Sequence, residues 1–176
     1  MTTILAFDIA TRTGVAFGPV GGTPRSTAIV LGAKLPDAQR FGEMIKAAKR
    51  LITHLKPDIL VYEAPVGGPK TSHFLVGIAA CFAGESVALG YNPISLPLAS
   101  VRKHFIGKHL TSAHFPGMTK NRARVEIKNT VIARCYALGW HVDGDDEADA
   151  CALWDYAGAT LGRAQSAPPG GLFNGQ

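Results

Sequence analysis

Four acids in this sequence have the type and placement for metal-assisted chemistry. Asp146 and Asp149 stand three positions apart at the start of a candidate helix, so they share one helical face. Asp8 and Glu63 each close a short apolar run, Thr3–Phe7 and Ile59–Tyr62. Charged side chains are rarely buried without a partner, which makes these two carboxylates notable. If the two runs are neighbouring strands, the acids gather beyond the strands' carboxyl ends, where open α/β sheets bind ligands. Gathered carboxylates repel one another unless cations neutralise them. Oxygen-only donors select hard ions, so the expected cofactor is Mg2+ or Mn2+ and not zinc. Two such ions about 3.5–4 Å apart can activate a water and stabilise the leaving oxygen of a phosphodiester. Each acid also has a plain structural reading: a turn bond for Asp8, a surface strand end for Glu63, a helix start favoured by the dipole for Asp145 and Asp146.

The charge layout suits a phosphate-rich partner. The net charge is +5. From Ala99 to Arg134 run eight bases against one acid; from Asp143 to Asp149 there are five acids and no base. Basic side chains supply most sequence-independent grip on a nucleic-acid backbone. The candidates are Arg102, Lys103, Lys108, Lys120, Arg122, Arg124 and Lys128, together with Arg12 and Lys70. On one helix Lys120, Arg124 and Lys128 align, while Arg122 points away. One of Lys103, Lys108 or Lys120 could instead balance charge on a scissile phosphate. His104, His109 and His114 are five apart and share no helical face, so they do not suggest zinc. Trp140 and Trp154 read as core residues.

Positioning these groups requires a sheet with helices around it. Strands are expected at Thr3–Asp8, Val15–Phe17, Ser26–Leu35, Asp58–Glu63 and Asn92–Leu98. In the third, Ala28, Val30 and Leu31 are expected to face inwards. Asp37 is expected to cap an amphipathic helix with Phe41, Met44, Ala48, Ile52 and Leu55 on its buried face, ended by Pro57. An Ala/Gly-rich helix should span Thr71–Leu89, buried or in a dimer seam. Ser100 should cap a short helix Val101–Ile106, and Thr119 a helix to about Leu138, ended by Gly139. Asp145 should cap a last helix to Leu161. Strands first, then strands alternating with helices, predict an α/β fold with a five-stranded mixed β-sheet flanked by α-helices.

Three of these segments carry a family likeness. Phe7-Asp8-Ile9-Ala10-Thr11-Arg12-Thr13-Gly14 resembles the opening of RuvC-like Holliday junction resolvases, which have the RNase H-like fold. Val61-Tyr62-Glu63-Ala64-Pro65 resembles their second acidic strand, and Asp146-Glu147-Ala148-Asp149-Ala150-Cys151-Ala152-Leu153 their terminal helix. The first segment is shared with sugar-kinase and actin-like ATPases; the combination of three is not. The resemblance implies a structure-selective endonuclease with Asp8, Glu63, Asp146 and Asp149 as metal ligands and Lys120 as the catalytic lysine. It further implies two metal ions per site, branched DNA as substrate and a homodimer that nicks symmetric strands. Position 10 is Ala where many relatives carry Gly. Val66 replaces an aromatic that relatives may wedge into a junction; Phe74 or Phe115 could stand in. A nuclease for structured RNA (YqgF-like), an actin-like ATPase and a non-catalytic junction binder remain as alternatives. The chain is short for the duplicated ATPase, and no nucleotide cofactor is expected.

The 176 residues suit one domain, over 1–162, followed by a Gly/Pro/Ser/Gln-rich tail over 163–176 expected to be disordered. A hydrophobic share of 47% excludes a largely disordered chain. No apolar run reaches the roughly 18 residues of a membrane span. The first residues lack a basic signal region, and the three cysteines form no C-x-x-C pair. A cytoplasmic protein, bacterial or phage-encoded, is expected.

Overall fold

A computed structural model describes residues 1–65, 72–108 and 110–162. The tail over 163–176, and with it the expectation of disorder, lies outside the described residues, as do Val66, Lys70 and His109.

The sheet is built around its first strand. β1 (Thr3–Asp8) pairs antiparallel with β2 (Arg12–Pro19), which pairs antiparallel with β3 (Arg25–Val30). On its other side β1 pairs in parallel with β4 (Ile59–Glu63), and β4 with β5 (Ile94–Leu96). The order is therefore β3-β2-β1-β4-β5, a five-stranded mixed sheet. The crossover from the meander to β4 is α1 (Asp37–Leu55), and α2 (His73–Ala88) leads to β5. Then follow α3 (Leu98–Ile106), a short 3-10 turn at Ser112–His114, α4 (Lys120–Ala137) and α5 (Asp145–Thr160).

The unbroken apolar run of β1 is explained by helices on both faces. Leu5, Phe7, Val15 and Leu60 pack under α1 and α2 against Met44, Ala48, Ile52, Ile78 and Phe82. Ile4, Ala6, Ala16 and Val61 pack on the opposite face against Ala148, Ala152, Leu153 and Trp154 of α5. Trp154 donates its indole N–H to the Gly18 carbonyl at 3.1 Å, and Trp140 meets it edge-on. Both tryptophans are core residues, as the sequence suggests.

Several boundaries differ from expectation. β3 stops at Val30, which is 64% exposed, and the buried residue is Leu31, just past the strand. Ser26 reaches Glu147 of α5 and Ile29 packs towards α1, but the last strand residue, Val30, is left open, so alternation alone misassigns it. Asp37 is the first residue of α1 and caps nothing; its carboxylate binds Arg40 at 3.2 Å. The helix ends at Lys56, left-handed with φ 45°, before Pro57 is reached. α3 begins at Leu98, led in by Pro97, so Ser100 lies inside it. Gly144, not Asp145, precedes α5, because the Asp145 carboxylate is held by Lys128. Thr119 does cap α4, accepting from the Arg122 N–H, and Gly139 follows it with φ 76°.

Candidate active site

The register of the central strands brings the first two acids together. Phe7 lies opposite Tyr62 across the parallel pair, so Asp8 and Glu63 come next on each strand, and a side-chain hydrogen bond joins them. On the other side of β1, Asp8 pairs with Gly14 of β2. A Cβ on Gly14 would lie 1.9 Å from the Asp146 carbonyl oxygen and 2.5 Å from its carbonyl carbon. The first turn of α5 therefore rests directly on a bare patch of β2 backbone. That contact carries Asp146 and Asp149 towards Asp8, and only a glycine admits it. The sequence motif contains Gly14, but its role becomes visible only with α5 in place.

The electrostatics match a crowded acidic site. Burial pushes the Asp8 carboxyl well above its ordinary value, and Glu63, Asp149 and Asp146 push it further. Burial likewise raises Glu63, Asp146 and Asp149. Two guanidiniums oppose this. Arg102 Nη2 lies 3.1 Å from Asp149 Oδ2, and Arg12 Nε lies 2.9 Å from Asp146 Oδ2. Lys128 binds Asp145 and holds its carboxyl below the ordinary value. Glu147 is turned away and buried, accepting from the Ser26 hydroxyl at 2.8 Å and from the Asp143 N–H. The acidic knot thus splits into two acids at the site, one on Lys128, one in the core and one, Asp143, exposed ahead of the helix.

Among the described residues, no three Asp, Glu, His or Cys side chains close into a set that could hold a metal as they stand. Arg12 and Arg102 occupy two of the four acids. The donor chemistry nonetheless fits a hard divalent ion: carboxylate oxygens only, at a place where buried like charges gather around Asp8.

The basic residues divide by position. Arg12, Arg102 and Lys128 are ion-paired to acids at or beside the site. Lys120 and Arg124 line a shallow cavity of about 350 Å3 with Arg102, Ser112 and Ile127. Arg124 and Lys128 line an adjoining one of about 680 Å3 with Arg102, Leu75 and Leu98. Arg122 lines neither, in keeping with the helical spacing, and Lys103 and Lys108 are exposed. Lys120 is on the first turn of α4, whereas Lys128 is the lysine beside the acids. His104 binds Asp155 and His114 binds Thr111, so neither joins the site.

Arg40 is a residue that sequence reading missed. A charged side chain in an amphipathic helix is expected on the polar face, yet Arg40 of α1 is buried. It donates to the Thr11 hydroxyl at 3.0 Å and lies 3.5 Å over the Phe74 ring. It therefore ties α1 and α2 to the turn that carries Arg12. Phe74 also stacks on Phe41, so it is engaged in packing. Only the three-dimensional contacts reveal this, since lone arginines on helices are usually solvated.

No family model matches the chain, and no curated protein matches it by sequence. Solved structures do. RuvC from Thermus thermophilus superimposes with a TM-score of 0.67 at 15% identity, covering 94% of this chain and 98% of that one. RuvC from the same organism in complex with a Holliday junction substrate gives 0.69 at 15%, covering 95% and 98%. The fold is that of RuvC. The yeast mitochondrial Holliday junction resolvase Ydc2 gives 0.56 at 13% identity, covering 92% of this chain and 81% of its own. The fold class is the one the three sequence segments imply; in this chain Asp8 and Glu63 end β1 and β4, and Asp146 and Asp149 lie at the start of α5. Among the described residues no helix is long and apolar enough to cross a membrane.

Proposed function

We propose that this chain is a divalent-metal-dependent endonuclease that binds and cuts branched DNA, four-way junctions in particular. The observation that carries the reading is the meeting of Asp8 and Glu63, on adjacent central strands, with Asp146 and Asp149 on the helix seated on Gly14. RuvC and Ydc2, whose fold it has, are described as Holliday junction proteins.

Asp8, Glu63, Asp146 and Asp149 would hold the metal, Mg2+ or Mn2+, as one or two ions. When bound it supplies Lewis acidity and neutralises charge at a phosphodiester. The chain's own residues do the rest. Asp149 is buried and Asp8 half-buried, which strengthens the charge interactions on that side of the site. Arg124, Lys128 and Lys120 line the approach along α4 and would hold the DNA backbone, with Lys103, Lys108 and Lys70 as further contacts. Either Lys120 or Lys128 would offset charge developing on the cleaved phosphate, and Lys128 is favoured by its place beside the acids. In-line attack would leave a 5′-phosphate and a 3′-hydroxyl.

One chain carries one such site, so paired nicks call for a second copy. The exposed face of α2, with Val76, Ala80, Gly84 and Val87 at helical spacing, is a surface small enough for close helix packing and suits a homodimer. The test incubates a labelled four-way junction with the protein and Mg2+ or Mn2+, with linear duplex and structured RNA as competitors. Junction cleavage that RNA does not compete away supports the reading. Preferred cutting of RNA, or junction binding in EDTA with no cleavage in either metal, overturns it. Sedimentation tests the dimer, with Gly84→Leu expected to dissociate it.

A further inference from the structure

We propose that Arg102, with Arg12 in support, is a resident counter-cation: it holds Asp149 in the metal-free protein and yields it when a divalent metal enters. This rests on the metal-nuclease reading above.

Three observations carry it. Asp149 is 9% exposed and faces Asp8 and Glu63, and a buried carboxylate among like charges needs a partner. Arg102 is that partner; its side chain is 19% exposed, against 49% for Arg12. Next, the pairing is incomplete. Arg102 Nε is buried with no hydrogen-bond partner, and its contacts to the two Asp149 oxygens are uneven, at 3.1 and 3.5 Å. A guanidinium with an unmet donor and one long contact gives up less when it leaves its carboxylate. Finally, Arg102 lines both cavities along α4, beside Arg124, Lys128 and Lys120. It has open space to move into, and that space is where a polyanion would run. Arg12 on Asp146 does the same at the more exposed edge.

The consequence is competition. A metal that binds the four acids must displace a positive charge from Asp149, so the arginine weakens metal binding while it stabilises the metal-free fold. Isothermal titration with Mn2+ alone tests this without any cleavage step. Arg102→Gln should bind Mn2+ about tenfold more tightly than wild type, and Arg12→Gln by a smaller factor because its pair is more exposed. Lys103→Gln, on the same helix but outside the pairing, should stay within about twofold, which separates a paired charge from a merely nearby one. Thermal unfolding in EDTA should give Arg102→Gln a lower midpoint than wild type and a larger rise on adding Mn2+. If Arg102→Gln fails to fold, Arg102→Lys keeps the charge without the fork and should bind Mn2+ more tightly than wild type by a smaller margin. Equal or weaker Mn2+ binding by the folded Arg102 variant overturns the proposal alone. No Mn2+ binding by any of the proteins overturns the proposal and the metal reading together.

Discussion

Asp8 and Glu63 stand side by side at the ends of paired parallel strands, one hydrogen bond apart. Two carboxyls in that position oppose each other in the absence of a cation. Asp8→Asn and Glu63→Gln should therefore each lower metal-dependent junction cleavage by more than about a hundredfold. Neither should lower the thermal midpoint of the metal-free protein, because each removes a like-charge contact. Initial rates and unfolding curves on the same preparations check both halves. A variant that loses activity only by unfolding counts against the assignment.

Gly14→Ala should disturb the site without touching an acid. The new methyl would press on the Asp146 main chain at 1.9 Å, and backbone cannot rotate aside. We expect a large loss of stability and a displaced α5. Gly42→Ala on α1, where an added Cβ meets nothing, is the matched control and should leave stability within about 1 kcal/mol. Equal midpoints for the two variants would show that the close approach is not needed.

Stability should depend on pH through the buried acids. Asp8 is raised well above 3.8, first by burial and then by Glu63. The folded protein holds such a proton more tightly than the unfolded chain does. The contribution is complete below 3.8 and fades as pH climbs through the raised value. Asp145, held low by Lys128, acts the opposite way and loses its contribution as pH falls below the ordinary value. In EDTA, Asp8→Asn should flatten the decline of the midpoint as pH rises above the ordinary carboxyl range, relative to wild type. Parallel curves for the two proteins would exclude Asp8 as the source.

Arg40→Ala should cost about 2 kcal/mol, from the lost bond to Thr11 and the emptied space on Phe74. Because Thr11 precedes Arg12, the variant should also loosen the turn beside Asp146. Hydrogen exchange at the Thr13 and Gly14 amides checks this and should quicken more than exchange in α4.

The central strands and the terminal helix were legible because their signals are strong. β1 and β4 are apolar runs that end on acids, and Asp146 and Asp149 lie three apart. The edges were not. At the end of the edge strand β3, Val30 and Leu31 are both expected inside, and only Leu31 is buried. Helix starts at Pro36 and Gly144 hide behind nearby aspartates whose carboxylates serve cations instead. The site residues that sequence missed act through three-dimensional neighbours. Arg40 looks like any solvated helix arginine, Gly14 like any turn glycine, and Arg102 like one more base in a basic stretch.

The helix that brings Asp146 and Asp149 is also the helix that closes one side of the core, through Ala152, Leu153 and Trp154. Its neighbours in space, β1 and β2, were formed from the other end of the described chain. The last lid on the core and the last two acids therefore arrive in one event. A half-folded chain has no gathered acids, so on the proposed reading metal binding and cutting belong only to the finished molecule.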